Sequence, residues 1–374
     1  MEEVLVFTVV LLSFFGFIVF ILLFGQSPSL RHGPIGSLNV VLTEKLPSAI
    51  SKVLLFTLGQ HNVRRISKAW HYCCESRNPF LQIFFIGLSG ASIASFLYYA
   101  LPHMPGPYLH RIHYVIIPIQ IVSIYTIYYI ACTADPGIIT EKNLKKHLDY
   151  YPYDGLLYKP KTCVTCQLEK PARSKHCSMC KACIGKMDHH CAWLNKCVGE
   201  NNMRYFFYFL FMLVEFCAYG AYLAFQVYRG MIIEWGLDKA YMHDTRTGKR
   251  IPITFKRAFL YVLHRDRIIG AVGILAAVVS FVVFIFAVYQ LYLASRGITT
   301  NEAFKWEAVE DAAYRGEIFK VVKESTSESS AVRFTSKEPK KERRVRVNFE
   351  EIENKYDFGV VGNLKEIFAP PKLL

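Results

Sequence analysis

CVTCQLEKPARSKHCSMCKACIGKMDHHCAWLNKC, residues 163–197, decides how the rest of the chain is read. It carries seven cysteines and three histidines. Each Cys-x-x-Cys step lets one turn aim two thiolates at a single metal. Two tetrahedral zinc sites consume eight ligands, which leaves one thiol and one imidazole of the ten present. That pair is the minimum for a cysteine nucleophile with its base. Composition does not say which cysteine is spare. Position favours Cys191, directly after Asp188-His189-His190 and close to Trp193. A thiol beside imidazoles and basic side chains is reactive. Asp188 is placed to fix the tautomer of one imidazole, with a turn or helix cap as the weaker alternative.

Two other readings of the segment are weaker. Buried structural cysteines do not suit a stretch interleaved with Lys161, Lys170, Arg173, Lys175, Lys181 and Lys186, which has too little apolar mass to fold without metal. A nucleic-acid-binding zinc module would need a finger helix with base-reading positions, and none is visible. We expect no nucleic-acid partner.

Outward from this segment the chain is apolar in long runs. Of 374 residues, 52% are hydrophobic, and the mean hydropathy is +0.22. Runs near Val4–Phe24, Phe80–Leu101, Ile112–Cys132, Tyr205–Tyr228 and Ile268–Tyr292 are each long enough to cross a bilayer. The first opens with Met1-Glu2-Glu3 and lacks the basic start of a cleaved signal, so it reads as a retained span. The fold class expected is an all-α integral membrane protein, with about five transmembrane helices and a small cytosolic zinc-binding cysteine-rich domain.

The net charge of +14 fits basic cytosolic loops. Gln26–Pro79 carries Arg31, Lys45, Lys52, Arg64, Arg65, Lys68 and Arg77 against Glu44 and Glu75, which places it in the cytosol. The cysteine-rich segment, between the third and fourth spans, is then cytosolic too, where thiols stay reduced. The loop Arg229–Arg267 disagrees: it should be lumenal yet is basic, and Phe255–His264 is expected at the membrane interface or in the lumen. The divisions expected are an N-terminal span at 1–25, a cytosolic loop at 26–79 and a transmembrane hairpin at 80–132. The cysteine-rich domain follows at 133–204, then two spans with a lumenal loop at 205–292 and a cytosolic tail at 293–374. Within the tail, Asn301–Lys323 has helix-spaced apolar residues, Glu324–Arg346 reads as a flexible linker, and Asn354–Phe368 regains the apolar character of a segment that docks back. No internal repeat is expected.

The motifs resemble those of the DHHC protein S-acyltransferases. The landmarks are Lys170-Pro171-Ala172-Arg173-Ser174-Lys175-His176-Cys177, Asp188-His189-His190-Cys191-Ala192-Trp193 and Cys197-Val198-Gly199-Glu200-Asn201-Asn202. Asp135-Pro136-Gly137, Thr299-Thr300-Asn301-Glu302 and Asn354-Lys355-Tyr356-Asp357-Phe358-Gly359 match the flanking motifs. Tyr151-Pro152-Tyr153-Asp154 and the extra N-terminal span resemble the fungal spore-wall-formation (Swf) branch.

That resemblance implies two structural zinc ions. One would be held by Cys163, Cys166, His176 and Cys183, the other by Cys177, Cys180, His190 and Cys197, a pairing the spacing was not expected to decide. It further implies Cys191 as nucleophile, His189 as base and Asp188 as its orienter, with palmitoyl-CoA as acyl donor. Substrates would be membrane-proximal cysteines of SNARE-type proteins, and the location the endoplasmic reticulum membrane. Lys170, Arg173 and Lys175 are the basic residues nearest the metal frame and are expected to contact the CoA phosphates; a solvated basic face near anionic headgroups is the alternative. A catalytically silent zinc adaptor would need the eight ligands but not Cys191. A transporter would need charges within its spans, and Glu215 alone in the fourth span is too little.

Overall fold

The structure, a computed structural model, describes residues 17, 18, 21, 25, 30, 31, 33–72, 76–243, 248–323, 342–371 and 373. In chain order it forms α1 (Pro34–Val40), α2 (Leu46–Trp70), α3 (Phe80–Tyr99), α4 (His113–Thr133) and α5 (Leu144–Tyr150). The short strands β1 (Lys175–Cys177), β2 (Ala182–Ile184), β3 (His189–Cys191) and β4 (Lys196–Val198) follow. Then come α6 (Met203–Glu234), β5 (Tyr241–His243), β6 (Arg250–Pro252), α7 (Phe255–Arg265) and α8 (Arg267–Ser295). The chain ends with α9 (Thr300–Tyr314), β7 (Phe319–Lys323), β8 (Glu342–Arg346) and α10 (Gly359–Phe368).

Two compact units are distinguished. One comprises Met1–Glu75, Asp154–Leu157 and Thr300–Tyr356; the other comprises Ser76–Tyr153, Tyr158–Thr299 and Asp357–Leu374. In the first unit, α2 lies within the segment 26–79 that was expected to join the first two spans. Its apolar and basic residues lose phase at Gly59, whose φ of 74° breaks the helical repeat, so no single amphipathic stripe marks it. The tail helix is shorter than Asn301–Lys323. It stops at Tyr314, Gly316 turns the chain in the left-handed region, and Phe319–Lys323 pairs antiparallel with Glu342–Arg346. That strand replaces the end of the expected linker, whose residues 324–341 lie outside the described ones.

The second unit holds the functional residues. Its helices α3, α4, α6 and α8 are each long and apolar enough to cross a membrane. Only 6–28% of each apolar window is buried within the protein. Helices apolar all round with so little protein cover are suited to lipid rather than water. The expected first span, Val4–Phe24, lies outside the described residues apart from Phe17, Ile18 and Ile21. Between hydrocarbon-embedded helices the hydrophobic drive is weak, and packing with side-chain hydrogen bonds takes its place. Such ties run between Ser89 and Tyr125, from Gln120 to Glu215, and from Ser280 to the carbonyl of Val214.

Two apolar clusters lie within the helix bundle, and two smaller ones surround the cysteine hairpins. At one end of the bundle Phe96, Leu109, Leu223, Tyr228 and Met231 pack with Val262 of α7 and Ile269 of α8. The segment Phe255–His264 is thus a helix, capped by Thr254, with Ala258 and Val262 buried and Phe255 and Tyr261 exposed. At the other end Ile124, Tyr128, Phe207 and Phe209 pack with Leu194, Ile367 of α10 and Cys191.

Candidate active site and metal centres

The ligand geometry begins with two tight hairpins. β1 pairs with β2 and sets His176 opposite Cys183; β3 pairs with β4 and sets His190 opposite Cys197. Cross-strand partners project on one face, so each hairpin offers one imidazole and one thiol together. The Cys-x-x-Cys turns add two thiols each. The residue after each turn, Gln167 and Lys181, is left-handed at φ 56° and 54°. This closes the turn so that the amides of Cys166 and Cys180 reach the sulfurs of Cys163 and Cys177.

The result is two four-residue groups, Cys163, Cys166, His176 and Cys183, and Cys177, Cys180, His190 and Cys197, with donor atoms in each group within 4.8 Å of one another. His176 Nδ1 lies 3.6, 3.3 and 3.8 Å from its three sulfurs, and His190 Nδ1 lies 3.6, 3.4 and 3.6 Å from its own. Bonds of about 2.3 Å to sulfur and about 2.0 Å to nitrogen give a tetrahedron with edges near these lengths. Both donor sets therefore fit a tetrahedral soft-ligand ion.

A regularity missed in the sequence explains the pairing. Each ligand of the second group lies fourteen residues after its counterpart in the first. The hairpins repeat with the same shift: β3 and β4 match β1 and β2 residue for residue. The expectation of no internal repeat is therefore corrected. The signal was present in the ligand spacing but masked by poor similarity at the positions between ligands.

Cys191 stands outside both groups. It is the last residue of β3 and is 9% exposed, packed in the apolar cluster at the bundle end. The Cys191 thiol is, with the Asp188 carboxylate, one of the groups that favour the protonated His189 ring. On the other side, His189 Nδ1 meets the carboxylate of Asp188 at 2.6 Å, and Asp188 is buried. Burial alone would lower the basicity of His189. The hydrogen bonds to Asp188 and Cys191 outweigh it and push the ring pKa up to about 10. The Asp188 carboxylate thus fixes one ring nitrogen of His189 and leaves the other for a different partner.

The expected phosphate-binding residues separate. Lys175 is exposed and Lys170 half-exposed. Arg173 is 0% exposed; it donates to the carbonyl of Gly297 and lies 3.8 Å from Glu366. A guanidinium with no open surface and these partners has no face for a phosphate, so its expected contact with CoA does not fit this placement. Arg173 instead belongs to a buried polar group in which Glu366 of α10 accepts from Tyr151 Oη at 2.7 Å and Lys186 Nζ at 2.5 Å. A second buried pair, His147 with Glu200 at 3.3 Å, lies against Gly185. Neither Lys186 nor Glu366 stands out in the sequence, because a lone acid on a short tail helix reads as solvated.

A family model described as DHHC palmitoyltransferase matches residues 157–307. The palmitoyltransferase swf1 of Emericella nidulans is 34% identical over 84% of this chain and 74% of that protein. The chain belongs to the DHHC palmitoyltransferases. Within this family it falls in the Swf branch: the swf1 palmitoyltransferase of Schizosaccharomyces pombe is 29% identical over 94% of this chain and 93% of its own length. The palmitoyltransferase ZDHHC4 of Bos taurus is 30% identical over 69% of each chain. As a DHHC palmitoyltransferase the protein is a multi-pass membrane protein S-acyltransferase, and the matched residues include both Cys3His groups.

Proposed function

We propose that the protein transfers a long acyl chain from palmitoyl-CoA, through an acyl-Cys191 thioester, to membrane-proximal cysteines of other proteins. The observation that carries this is the one thiol of residues 163–197 outside both metal groups, two residues after an imidazole whose Nδ1 is held by Asp188. His189, kept protonated beside the sulfur by Asp188 and Cys191, already holds the Cys191 proton as the sulfur attacks the thioester carbonyl of the donor. The carbon–sulfur bond to CoA breaks, and CoA leaves as its thiol with the proton returned by His189. An acceptor cysteine then loses its proton to His189 and attacks acyl-Cys191, which is released as the thiol. Two zinc ions, one per Cys3His group, would supply a fixed frame, since closed four-ligand shells are structural. They leave the chemistry to Cys191, His189 and Asp188.

The apolar cluster around Cys191 supports a lipid-facing reaction, because each acyl methylene leaving water contributes about 0.8 kcal/mol. The surface lysines Lys170 and Lys175 are suited to CoA phosphates. Basic loops support a cytosolic active site. The resemblance to the spore-wall-formation branch supports SNARE-type substrates and residence in the endoplasmic reticulum membrane. Incubation with a clickable palmitoyl-CoA tests the core of the reading: hydroxylamine-sensitive label is expected on the parent and absent from Cys191→Ser. Label that persists in Cys191→Ser would refute Cys191 as the nucleophile.

A further inference from the structure

The fourteen-residue repeat extends one step beyond the metals. Cys163, Cys177 and Cys191 are equally spaced, and each opens a turn whose fifth residue is left-handed: Gln167 at φ 56°, Lys181 at 54° and Asn195 at 51°. The hairpin holding Cys191 matches the hairpin holding Cys177 in strand length, register and turn length. One position breaks the pattern. The second thiols of the first two turns, Cys166 and Cys180, become Leu194, which is 1% exposed. The third turn is thus a metal-type turn whose chelating pair is lost, and its first thiol is Cys191.

A turn without metal needs another anchor to hold its left-handed residue, and the membrane helices provide one. Gln82 of α3 donates from Nε2 to the carbonyl of Leu194 at 3.0 Å and accepts from Asn195 Nδ2 at 3.2 Å. Tyr128 of α4 donates to the carbonyl of Trp193 at 2.9 Å. Lys196, opposite Cys191 in the hairpin, donates to the carbonyl of Thr133 at the end of α4 at 2.7 Å. Three consecutive turn residues, Trp193, Leu194 and Asn195, are therefore gripped from two spans. The hydrogen bonds of Gln82 are bidentate across Leu194 and Asn195, so this one side chain sets both the height and the tilt of the turn.

We infer that Gln82 is a positioning residue for acyl transfer: with Tyr128, it replaces the metal that pins the two related turns and so fixes the Cys191 thiol at the end of the spans. The inference rests on Cys191 as nucleophile, and it explains how a thiol can share the fold of a zinc turn yet stay free to react. It also places Gln82 and Asn195 in one device, although they stand 113 residues apart.

The test uses the full-length protein in lipid nanodiscs, following acyl-enzyme formation from clickable palmitoyl-CoA together with the donor KM and the zinc content. Gln82→Leu keeps the size and removes both hydrogen bonds. Asn195→Gly keeps the left-handed turn and removes only the amide that meets Gln82. Displacement of a reacting group by about 1 Å costs up to about a hundredfold, so Gln82→Leu is expected to slow the maximal rate by about ten- to a hundredfold, with KM and zinc as in the parent. Adding Asn195→Gly to Gln82→Leu should cost nothing further, because Asn195 acts through the bond already lost. In a separate variant, Leu194→Cys restores the paired thiols, and Cd²⁺ at a level that leaves the parent active should inhibit it, reversibly by chelator. A maximal rate within twofold of the parent for Gln82→Leu, or a rate loss matched by zinc loss, would overturn the inference. So would cadmium insensitivity of Leu194→Cys. If Gln82→Leu does not fold, the Asn195→Gly rate and the Leu194→Cys response decide the matter. Label retained in Cys191→Ser would instead sink the underlying assignment of the nucleophile.

Discussion

In the proposed mechanism Asp188 acts through its neighbour. Its carboxylate is buried and bonded to His189 Nδ1, so replacement by Asn keeps the shape while removing the charge and allowing the wrong imidazole tautomer. In a comparable triad the same change costs about 10⁴ in turnover. Asp188→Asn is accordingly expected to lower acyl-enzyme formation by about two to four orders of magnitude, with both metals retained, as metal analysis of the purified variant would check. A rate within threefold of the parent would reduce Asp188 to a turn cap. Gly185 is governed by space rather than chemistry. A Cβ there would lie 2.7 Å from Glu200 Oε2 and 3.0 Å from His147 Nε2, both within a fully buried pair. Gly185→Ala should destabilise the cysteine-rich segment by about 1–3 kcal/mol, as overpacking does, and thermal unfolding in detergent would measure it.

At the scale of elements, α10 is held to the cysteine-rich segment by polar groups as much as by packing. Glu366 receives Tyr151 and Lys186 and faces Arg173, while Asn363 donates to the carbonyl of Ser295 at the end of α8. Removing the central charge strands Lys186 and Arg173 in a buried site. Glu366→Gln is therefore expected to cost about 3–5 kcal/mol, whereas Tyr151→Phe, which removes one neutral donor, should cost only about 1 kcal/mol. Equal shifts in melting temperature for the two variants would show that the buried charges are not coupled. The sequence announced α10 by its aromatic and apolar residues, but Arg173 read as a surface cation because it lies in a run of exposed-looking basic residues. Only the left-handed turn at Arg173, φ 64°, and its burial reveal that it points inward.

The second unit as a whole combines a lipid-suited helix bundle with a small segment that has almost no core of its own. Its four short strands form two two-stranded hairpins, one of them also bridged by Ile138, and such small sheets are marginal in water without further support. The bound ions would provide it. Removal of metal by a strong chelator is expected to abolish acyl labelling and open residues 163–197 to protease, while the far-ultraviolet helical signal of the spans persists. Undiminished labelling in demonstrably metal-free protein would refute a structural role for the metals.

By itself the sequence determined the membrane helices, the cysteine-rich segment and the surplus of one thiol and one imidazole. These are properties of local composition and spacing: hydrophobic length measures a bilayer, and ligand counts are arithmetic. Its fourteen-residue spacing even contained the metal pairing. Tertiary structure alone decided what Cys191 rests on. Gln82, Tyr128, Arg173 and Glu366 lie far from the motifs they support, and nothing local separates a buried Arg or a membrane Gln that grips a turn from one that faces solvent or lipid. A hydrogen bond between residues 113 apart exists only once the spans and the hairpin have been brought together.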